Sequence, residues 1–366
     1  MFGNVYKGKK VLITGNTGFK GSWLTVWLLK LGAEVIGVSN NVPTNPSMFE
    51  TLSLKDSIKQ YMLDIRELDT FTEVLDTERP DFVFHLAAQA IVSQSYDDPI
   101  YTISTNVMGT ANVLEALRKL KFSCTAVIIT SDKCYDNVEQ IWGYKENDHM
   151  GGKDIYSGSK GAAELIINSY YHSFFKDNKN IKLGIARAGN VIGGGDWAKD
   201  RIVVDCMEAW SKADVVEIRS PDSTRPWQHV LEPLSGYLVL GAELYKSPEL
   251  DGEGFNFGPR AEHNHSVLEL LEDLADLWGF KEKNQAYRVI DNIPFHEAGL
   301  LKLNCDKALS FLKWQAVLEY KKTIKMVGEW YYEYYINENK DMLEYTTKQI
   351  SSYENEAASR GLAWMV

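Results

Sequence analysis

The chain has 366 residues, 45% of them hydrophobic, and a formal net charge of −11 at pH 7. This length predicts two domains, or one large domain that carries a smaller lobe. The acidic balance excludes nucleic-acid binding driven by surface charge, and no stretch approaches the ~20 apolar residues that a membrane span needs. We therefore expect a protein that contacts neither nucleic acid nor membrane.

The cysteines at positions 124, 134, 206 and 305 lie far apart and form no C-x-x-C pair. Such spacing indicates neither a zinc site nor a disulfide framework, and it is typical of a reducing interior. The first residues show no apolar signal region. We expect a cytoplasmic protein without a bound metal.

Short apolar runs alternate with helical patterns along the first half of the chain. A strand at residues 11–14 precedes a glycine-rich turn, a helical pattern and a second strand, V-I-G-V, which together form a β-α-β unit. Further strands are predicted at 61–63, 82–86, 125–130 and 181–187, and long helices at 101–119 and 156–176. This alternation predicts an α/β fold with a doubly wound parallel sheet.

The turn G-N-T-G-F-K-G places Gly15, Gly18 and Gly21 between the first strand and its helix. Gly15 would permit the tight turn, Gly18 the approach of a pyrophosphate, and Gly21 close packing of the helix on the sheet. Three glycines alone are equally compatible with a loop that binds nothing. Their position after the first strand of a β-α-β unit favours nucleotide binding.

The end of the second strand carries no acidic residue for the ribose of NAD and no arginine for the 2′-phosphate of NADP. Ser39 and Asn40 stand there instead, so the residues leave the choice of cofactor open. Asp64, after the third strand, is either an acceptor for the adenine amine or a plain helix N-cap. The residue alone favours neither role.

Ser131 follows the strand at 125–130, and Tyr156 and Lys160 stand four apart at the start of a helical stretch. Residues four apart share a helix face, where an ammonium group lowers the pKa of a phenol and can bind a nicotinamide ribose. A Y-x-x-x-K pair alone is usually an ordinary surface pair. Downstream of a nucleotide turn and of a strand that ends in a hydroxyl, the three residues predict a hydride-transfer site.

The sequence changes character after Arg187, where the runs G-G-G-D-W and S-P-D-S-T-R-P-W are rich in turn residues. We predict a dinucleotide-binding domain at residues 1–188, with a returning segment at about 228–258. A smaller mixed α/β substrate lobe would comprise 189–227 and 259–366. The run E-W-Y-Y-E-Y-Y-I-N-E is typical of a helix whose aromatic side chains pack on the body of the protein.

Five motifs taken together resemble one enzyme family. They are G-N-T-G-F-K-G-S-W-L, T-S-D-K-C-Y, Y-S-G-S-K, R-A-G-N-V-I-G-G-G-D-W and T-R-P-W-Q-H-V-L-E-P-L. From Lys10 to about Tyr332 the chain resembles the extended short-chain dehydrogenase/reductase enzymes that modify nucleotide sugars, and among them the 4,6-dehydratases of CDP-glucose. The later runs H-E-A, at 296–298, and L-K-W, at 312–314, fit the same family.

The resemblance implies a Rossmann domain with tightly bound NAD that is regenerated in each turnover, although the residues do not exclude NADP. It implies CDP-glucose as the small-molecule substrate and a homodimer built from the helices at 101–119 and 156–176. The cofactor-binding residues that it implies are Gly15, Thr17, Gly18, Phe19, Gly21, Asp64, Ile65, Ala87, Asn106, Tyr156 and Lys160.

The family roles also fall on matching residues of this chain. Tyr156 would take the proton of the sugar O4 with help from Lys160, and Ser131 would hydrogen-bond that oxygen. The resemblance gives substrate contacts to Asn190, Arg201 and Arg225. Arginine suits a pyrophosphate because its fork is bidentate. By residue type alone Arg225 is equally a structural ion pair, and Asn190 a turn residue.

Dehydration needs an acid and a base, because a ketone at C4 acidifies the C5 proton and the C6 hydroxyl then leaves as water. Asp132 and Lys133 follow Ser131 directly, so we expect Asp132 to be the acid and Lys133 the base. Neighbours on an extended strand point to opposite faces, so the chain must turn here, or one of the pair is a solvated loop charge.

The similar stretch of the dTDP-glucose dehydratases has a glutamate where this chain has Lys133. A lysine must lose roughly 3 units of pKa to act as a base near neutrality. Alternatively, Lys133 stays charged and stabilises the enolate while another group takes the proton. We favour the base.

Three alternatives stay open at this point. A nucleotide-sugar 4-epimerase would use Ser131, Tyr156 and Lys160 but has no need of Asp132. Another 4,6-dehydratase would differ in its nucleotide, which the residues do not identify. A non-catalytic NAD-binding protein would be expected to lose Tyr156 or Lys160, and both are present.

Overall fold

A computed structural model describes residues 1–260, 262, 264–290 and 300–366. The strands are β1 (Lys10–Thr14), β2 (Glu34–Ser39), β3 (Lys59–Met62), β4 (Phe82–His85), β5 (Cys124–Ile129), β6 (Ile181–Ala188), β7 (Val191–Ile192), β8 (Val216–Ile218), β9 (Thr224–Arg225), β10 (Gln228–His229), β11 (Gly254–Phe257), β12 (His265–Ser266) and β13 (Tyr287–Val289). The run H-E-A, at 296–298, lies outside the described residues.

The helices alternate with these strands and then dominate the carboxyl-terminal part. They are α1 (Phe19–Lys30), α2 (Met48–Thr51), α3 (Leu68–Glu78), α4 (Val92–Asp97), α5 (Pro99–Ile103), α6 (Thr110–Lys119), α7 (Ile155–Tyr170), α8 (Ile202–Ser211), α9 (Leu231–Lys246), α10 (Val267–Trp278), α11 (Tyr320–Tyr335) and α12 (Met342–Ser359). The π-helical segment Ser104–Gly109 joins α5 to α6, and the π-helical segment Tyr171–Phe175 extends α7; a third, Ala308–Leu312, lies before α11.

Seven strands form one sheet in the order β11-β6-β5-β4-β1-β2-β3, and every neighbouring pair in it is parallel. The chain winds outward from β1 in one direction and from β4 in the other, so the strand order reverses between these two. This confirms the predicted α/β fold with a doubly wound parallel sheet. Such a reversal opens a crevice beyond the carboxyl ends of the strands.

The central strands are buried on both faces, which explains their continuous apolar runs. One large apolar cluster extends from β1 and α1 to Trp210, Leu271 and Trp330 of the carboxyl-terminal part. The segment predicted to return to the first domain contains α9 and β11, and β11 pairs with β6. Because the core is continuous across the predicted boundary, the division into two domains stays a prediction.

The predicted aromatic helix near the carboxyl end is α11. Trp330 and Tyr331 are fully buried in it, and Gly194 lies so close to the Trp330 ring that an added Cβ would be 2.0 Å from it. Helix α12 had no sequence prediction; its Tyr353 donates a hydrogen bond to the buried Glu232 of α9 (2.8 Å). Both helices therefore belong to the core.

Within the part of the chain that the structure describes, no helix is long and apolar enough to cross a bilayer. All four cysteines are free thiols, and three of them are buried.

A buried ion pair joins β6 to α7 beneath the carboxyl edge of the sheet. Arg187 donates to both carboxylate oxygens of Glu164, at 2.8 and 3.0 Å, and both side chains are less than a tenth exposed. The same carboxylate accepts from Thr130 at the end of β5, and the same guanidinium donates to Tyr135 (2.7 Å) and to the carbonyl of Glu146 (2.9 Å). Two strand ends and one helix are thus held together by one satisfied network.

We expect Arg187→Met to lower the free energy of unfolding by ~3–5 kcal/mol, because it leaves the Glu164 charge buried without its partner. Urea unfolding followed by circular dichroism measures the loss. The control is Arg118→Met, which removes an equally bidentate but exposed pair with Glu115 and should cost less than ~1 kcal/mol. Equal losses in the two variants would contradict the structural role of the buried pair.

Candidate active site

Four loops meet at the carboxyl edge of the sheet, where the crevice opens. The glycine-rich turn follows β1, Ala87 lies just after β4, Ser131 just after β5, and Asn190 just after β6. Because these strands are parallel and adjacent, their carboxyl ends lie side by side. The sheet thus brings together residues that are more than a hundred positions apart in the sequence.

The glycine-rich turn is too tight for side chains at two of its glycines. Gly15 has a φ of +75°, and a Cβ on it would lie 2.8 Å from the backbone nitrogen of Ala87. A Cβ on Gly21 would lie 2.1 Å from the carbonyl oxygen of Gly15. Gly18 precedes α1, and no side chain caps that helix before Phe19. Free backbone N–H groups at such a helix start are suited to an anion.

Thr17 ties this turn to the end of β2. Its hydroxyl donates to the carbonyl of Asn41 (2.7 Å), and its backbone N–H donates to the hydroxyl of Ser39 (3.3 Å). Ser39 in turn donates to the buried side chain of Asn16 (2.8 Å), a residue that the sequence analysis missed. The sequence signal for this contact is the glycine within β2, Gly37. A side chain there would not fit, since its Cβ would lie 2.3 Å from the Asn16 amide.

Asp64 lies at the far end of the crevice, beside the end of β2. Its carboxylate accepts from the Arg66 guanidinium (2.7 and 3.0 Å) and from Asn40 (3.2 Å), and the Arg66 side chain lowers its pKa. The N-cap of α3 is Glu67, so Asp64 does not cap that helix. The neighbouring Ile65 is buried.

Asn106 lies in the π-helical segment between α5 and α6, and protein groups use its amide completely. Its oxygen accepts from the backbone of Gln89 (2.8 Å), while its nitrogen donates to the carbonyl of Gln89 (3.0 Å) and to Ser159 (2.9 Å). Asn106 therefore clamps the loop after β4 to α7. In this arrangement its side chain fixes two elements that line the crevice.

The chain turns directly after Ser131. Such a turn is required if Asp132 and Lys133 are to act at one site. Residues Asp132–Cys134 form a 3₁₀ turn, in which the Ser131 hydroxyl accepts from the Lys133 N–H (3.3 Å) and donates to the Asp132 carboxylate (3.0 Å). Asp132 is buried, whereas Lys133 is partly exposed. Gly189 leaves room for Asp132, since a Cβ there would lie 2.9 Å from the carboxylate.

Tyr156 and Lys160 lie on the first turns of α7, which Asp154 begins by accepting from the Ser157 N–H (2.8 Å). Both side chains are less than a tenth exposed, and the ammonium lies 5.9 Å from the centre of the tyrosine ring. Among the described residues, no side chain or carbonyl accepts a hydrogen bond from Lys160. The pair therefore faces the crevice on one side of the helix, as predicted.

Burial and neighbouring charges alter the pKa values of these groups. Burial, and after it the Asp132 charge, raise the pKa of Tyr156 to about 12, while a hydrogen bond with Ser131 acts in the opposite direction. Burial also raises the pKa of Asp132 and lowers the pKa of Lys160 to about 8. Tyr156 and Asp132 thus oppose each other's ionisation, as expected for two acids in one pocket.

The predicted substrate residues lie on three segments that follow β6 in the chain. Arg201 precedes α8 and pairs with the buried Asp196 (3.3 Å), and its charge lowers the pKa of Tyr156. Asn190 is exposed beyond β6. Arg225 lies in β9, where its guanidinium donates to the carbonyl of Thr224 (2.8 Å).

Long-range contacts that local sequence patterns do not indicate support this site. Tyr135 of T-S-D-K-C-Y is tied to Arg187 and to Asn256 (2.8 Å), which fixes the segment after Lys133. Lys20, the lysine of G-F-K-G, lies close enough to Asp132 and Lys160 for their charges to affect its pKa. Trp314, of the run L-K-W, is buried and donates to Ser235 (2.8 Å).

Comparison with solved structures supports the fold. The dTDP-glucose 4,6-dehydratase of Bacillus anthracis, solved in complex with NAD, superposes with a TM-score of 0.75 at 18% identity, covering 92% of this chain and 100% of that one. The UDP-glucose 4-epimerase of Thermotoga maritima, solved with UDP-glucose, gives a TM-score of 0.74 at 22% identity over 89% of this chain and 99% of that one.

Sequence comparison identifies the family. The CDP-glucose 4,6-dehydratase of Salmonella typhimurium is 44% identical over 356 residues, which cover 96% of this chain and 97% of that protein. The CDP-paratose 2-epimerase of Salmonella typhi is 26% identical over 88% of this chain and 98% of its own. The family model for GDP-mannose 4,6 dehydratase matches residues 12–327. The chain therefore belongs to the GDP-mannose 4,6 dehydratase family and is a homologue of CDP-glucose 4,6-dehydratase.

Proposed function

We propose that this protein is an NAD-dependent lyase that converts CDP-D-glucose to CDP-4-dehydro-6-deoxy-D-glucose. The observation that carries the proposal is the buried carboxyl of Asp132 beside Ser131 and Tyr156 in one crevice. A 4-epimerase needs the serine and the tyrosine but no acid next to them. The near full-length identity to CDP-glucose 4,6-dehydratase supports both the reaction and the substrate.

The crevice fits a dinucleotide. The uncapped start of α1 beyond Gly18 would hold the pyrophosphate, and the buried ammonium of Lys160, which donates no hydrogen bond to any of the described residues, would bind the nicotinamide ribose. Asp64 and Ile65 would line the adenosine end. NAD, when bound, supplies the group that accepts hydride from C4 and returns it to C6.

Tyr156 takes the proton of the sugar O4, with Ser131 hydrogen-bonded to the same oxygen. A phenol with a pKa of about 12 is a poor acid at neutral pH, so its ionisation needs help. The Lys160 ammonium favours the phenolate, and protonation of Asp132 removes the negative charge that opposes it. Because the two acids repel each other's charge, an ionised Tyr156 and a protonated Asp132 form a compatible pair.

Water loss follows from the protonated Asp132. Lys133 removes the C5 proton, and the electrons of that bond form the enolate next to the C4 ketone. The C6–oxygen bond then breaks, Asp132 gives its proton to the departing hydroxyl, and water leaves. Lys133 lies one residue beyond Asp132 on a 3₁₀ turn, so an acid and a base lie on one short segment.

Mass spectrometry and NMR of the products tests this function directly. The purified protein is incubated with CDP-glucose and, separately, with UDP-, dTDP- and GDP-sugars. Loss of one water from CDP-glucose, with a keto group at C4, is expected. Inversion at C4 without a change in mass would instead identify an epimerase, and preference for another nucleotide would correct the substrate.

Asp132→Asn should separate oxidation from water loss. We expect elimination to fall by ~10²–10⁴-fold, because the general acid is gone, while deuterium from D₂O still enters C5 of recovered CDP-glucose. The acidic limb of the exchange profile should move to lower pH, since the Asp132 charge raises the pKa of Tyr156 and the amide carries no charge. The control is Asp177→Asn, an exposed carboxylate beyond α7. Elimination at the wild-type rate, or a limb at higher pH, would refute the assignment.

Two variants distinguish the roles open to Lys133. If its amine is the base, both Lys133→Met and Lys133→Arg should reduce C5 exchange by ~10²–10⁴-fold, because arginine keeps its proton. If its charge stabilises the enolate, the arginine variant should retain most of the exchange. NMR measures the exchange in both variants, as the amount of solvent deuterium incorporated at C5. Wild-type exchange in the methionine variant would remove Lys133 from either role.

We also propose that two copies pair through the face formed by α5, the π-helical segments at 104–109 and 171–175, and α7. This face exposes Ile100, Met108, Leu165 and Phe174, each about half exposed or more. Apolar side chains on adjacent helices are suited to burial against a second copy. Light scattering should give the mass of two chains for the wild type and of one for Leu165→Lys. Leu309→Lys, on another exposed leucine, is the control, and one chain in the wild type would overturn the proposal.

A further inference from the structure

Lys20 is a cation in the crevice to which the proposed chemistry gives no role. It is the second residue of α1 and lies between Phe19 and Gly21, at the end of the glycine-rich turn. Its side chain is partly exposed, and no described residue accepts a hydrogen bond from its ammonium. Burial, and after it the Arg201 charge, lower the pKa of this group to about 8, because both disfavour its charged form.

The charges that act on Lys20 come from three other elements. They are Asp132 of the 3₁₀ turn after β5, Lys160 of α7, and Asp196 and Arg201 of the segment before α8. Three cations thus face two carboxylates, and each carboxylate is already engaged: Asp196 with Arg201, and Asp132 with Ser131. An excess of positive charge collects here in a protein whose net charge is −11. A local excess of this kind favours an anionic ligand.

The segment that carries Arg201 is fixed with respect to Lys20. Trp23, one turn after Lys20 on α1, donates to the carbonyl of Gly194 (2.9 Å). Tyr331 of α11 donates to the carbonyl of Asp196 (2.6 Å) and accepts from its N–H (3.1 Å). One face of α1 therefore presents Lys20 while it also holds the loop that leads to Arg201. Cations held in place before a ligand arrives need little reordering to bind it.

We propose that Lys20 is a diphosphate-binding residue, which acts with Arg201 at the point where the glycine-rich turn faces the loop at 193–201. This assignment rests on the proposed function, since both ligands of that reaction carry a diphosphate. By that function, the diphosphate of the nucleotide sugar would lie towards Arg201, whereas that of the dinucleotide would lie towards the start of α1. Lysine serves either one as a compact point charge.

Equilibrium binding tests the proposal on the full-length protein. Isothermal titration measures NAD binding to the cofactor-free protein, and then CDP-glucose binding to the NAD-loaded protein. Lys20→Met should weaken one of the two affinities by roughly ten- to hundredfold, the effect of losing a hydrogen bond to a charged group. Lys20→Arg should restore most of it. A loss confined to CDP-glucose identifies the substrate diphosphate, and a loss for NAD identifies that of the cofactor.

The matched control is Lys199→Met, which removes an exposed cation from the same loop as Arg201 and should leave both affinities within about twofold. Thermal melting of Lys20→Met checks that α1 still packs. Unchanged affinities for both ligands in Lys20→Met would overturn the proposal. Failure of the proposed function would be seen separately, as a wild-type protein that binds NAD but does not dehydrate CDP-glucose.

Discussion

Glu164 and Arg187 form an ion pair in the interior, and the orientation of α7, which carries Tyr156 and Lys160, depends on it. Two charges remain buried only where every polar atom around them is satisfied, and here Thr130, Tyr135 and a backbone carbonyl complete the set. Glu164 stands on α7 four and eight residues after Lys160 and Tyr156, so the three side chains share one helix face. Any rotation of α7 that moved Tyr156 away from the crevice would also break the buried pair.

The same network reaches the segment that carries Ser131, Asp132 and Lys133. Thr130 precedes Ser131 directly, and Tyr135 follows the 3₁₀ turn that carries Asp132. The turn is therefore held at both ends by groups bonded to the ion pair. Catalytic groups must be held closely to act together, and rigid elements hold them better than loops do. In this protein the rigidity comes from a polar cluster beneath the site rather than from the apolar core.

The electrostatics of the crevice depend on a balance between buried acids and buried cations. Tyr156 and Asp132 each disfavour the charge of the other, while Arg201 favours the charge of Tyr156, and Lys133 and Lys20 favour that of Asp132. Such a pocket prefers to hold a single negative charge on its two acids, and proton transfer can move that charge between them. In the proposed reaction the negative charge lies first on the phenolate of Tyr156 and afterwards on the carboxylate of Asp132, which agrees with such a transfer.

Much of this arrangement could be predicted from the sequence, because it depends on local patterns. Apolar runs that end in polar residues indicated β1, β4 and β5, and four-residue spacing put Tyr156 and Lys160 on one helix face. The partners that lie far along the chain could not be predicted. Nothing near Asp196 indicates Tyr331, 135 positions later, and nothing near Asn106 indicates that its side chain hydrogen-bonds to the loop after β4. Lys20 stood inside a recognised motif, but only its neighbours in space reveal its charge environment.

The hydrogen bonds between Tyr331 and Asp196 have a consequence for the order in which the site is assembled. A ribosome makes the glycine-rich turn, the serine and the Y-x-x-x-K helix within the first half of the chain. The loop that leads to Arg201 gains its support from α11 only when nearly all of the chain has been made. This loop can therefore be attached to α1 early, through the hydrogen bond that Trp23 donates, whereas its attachment to α11 must wait until Tyr331 has been made.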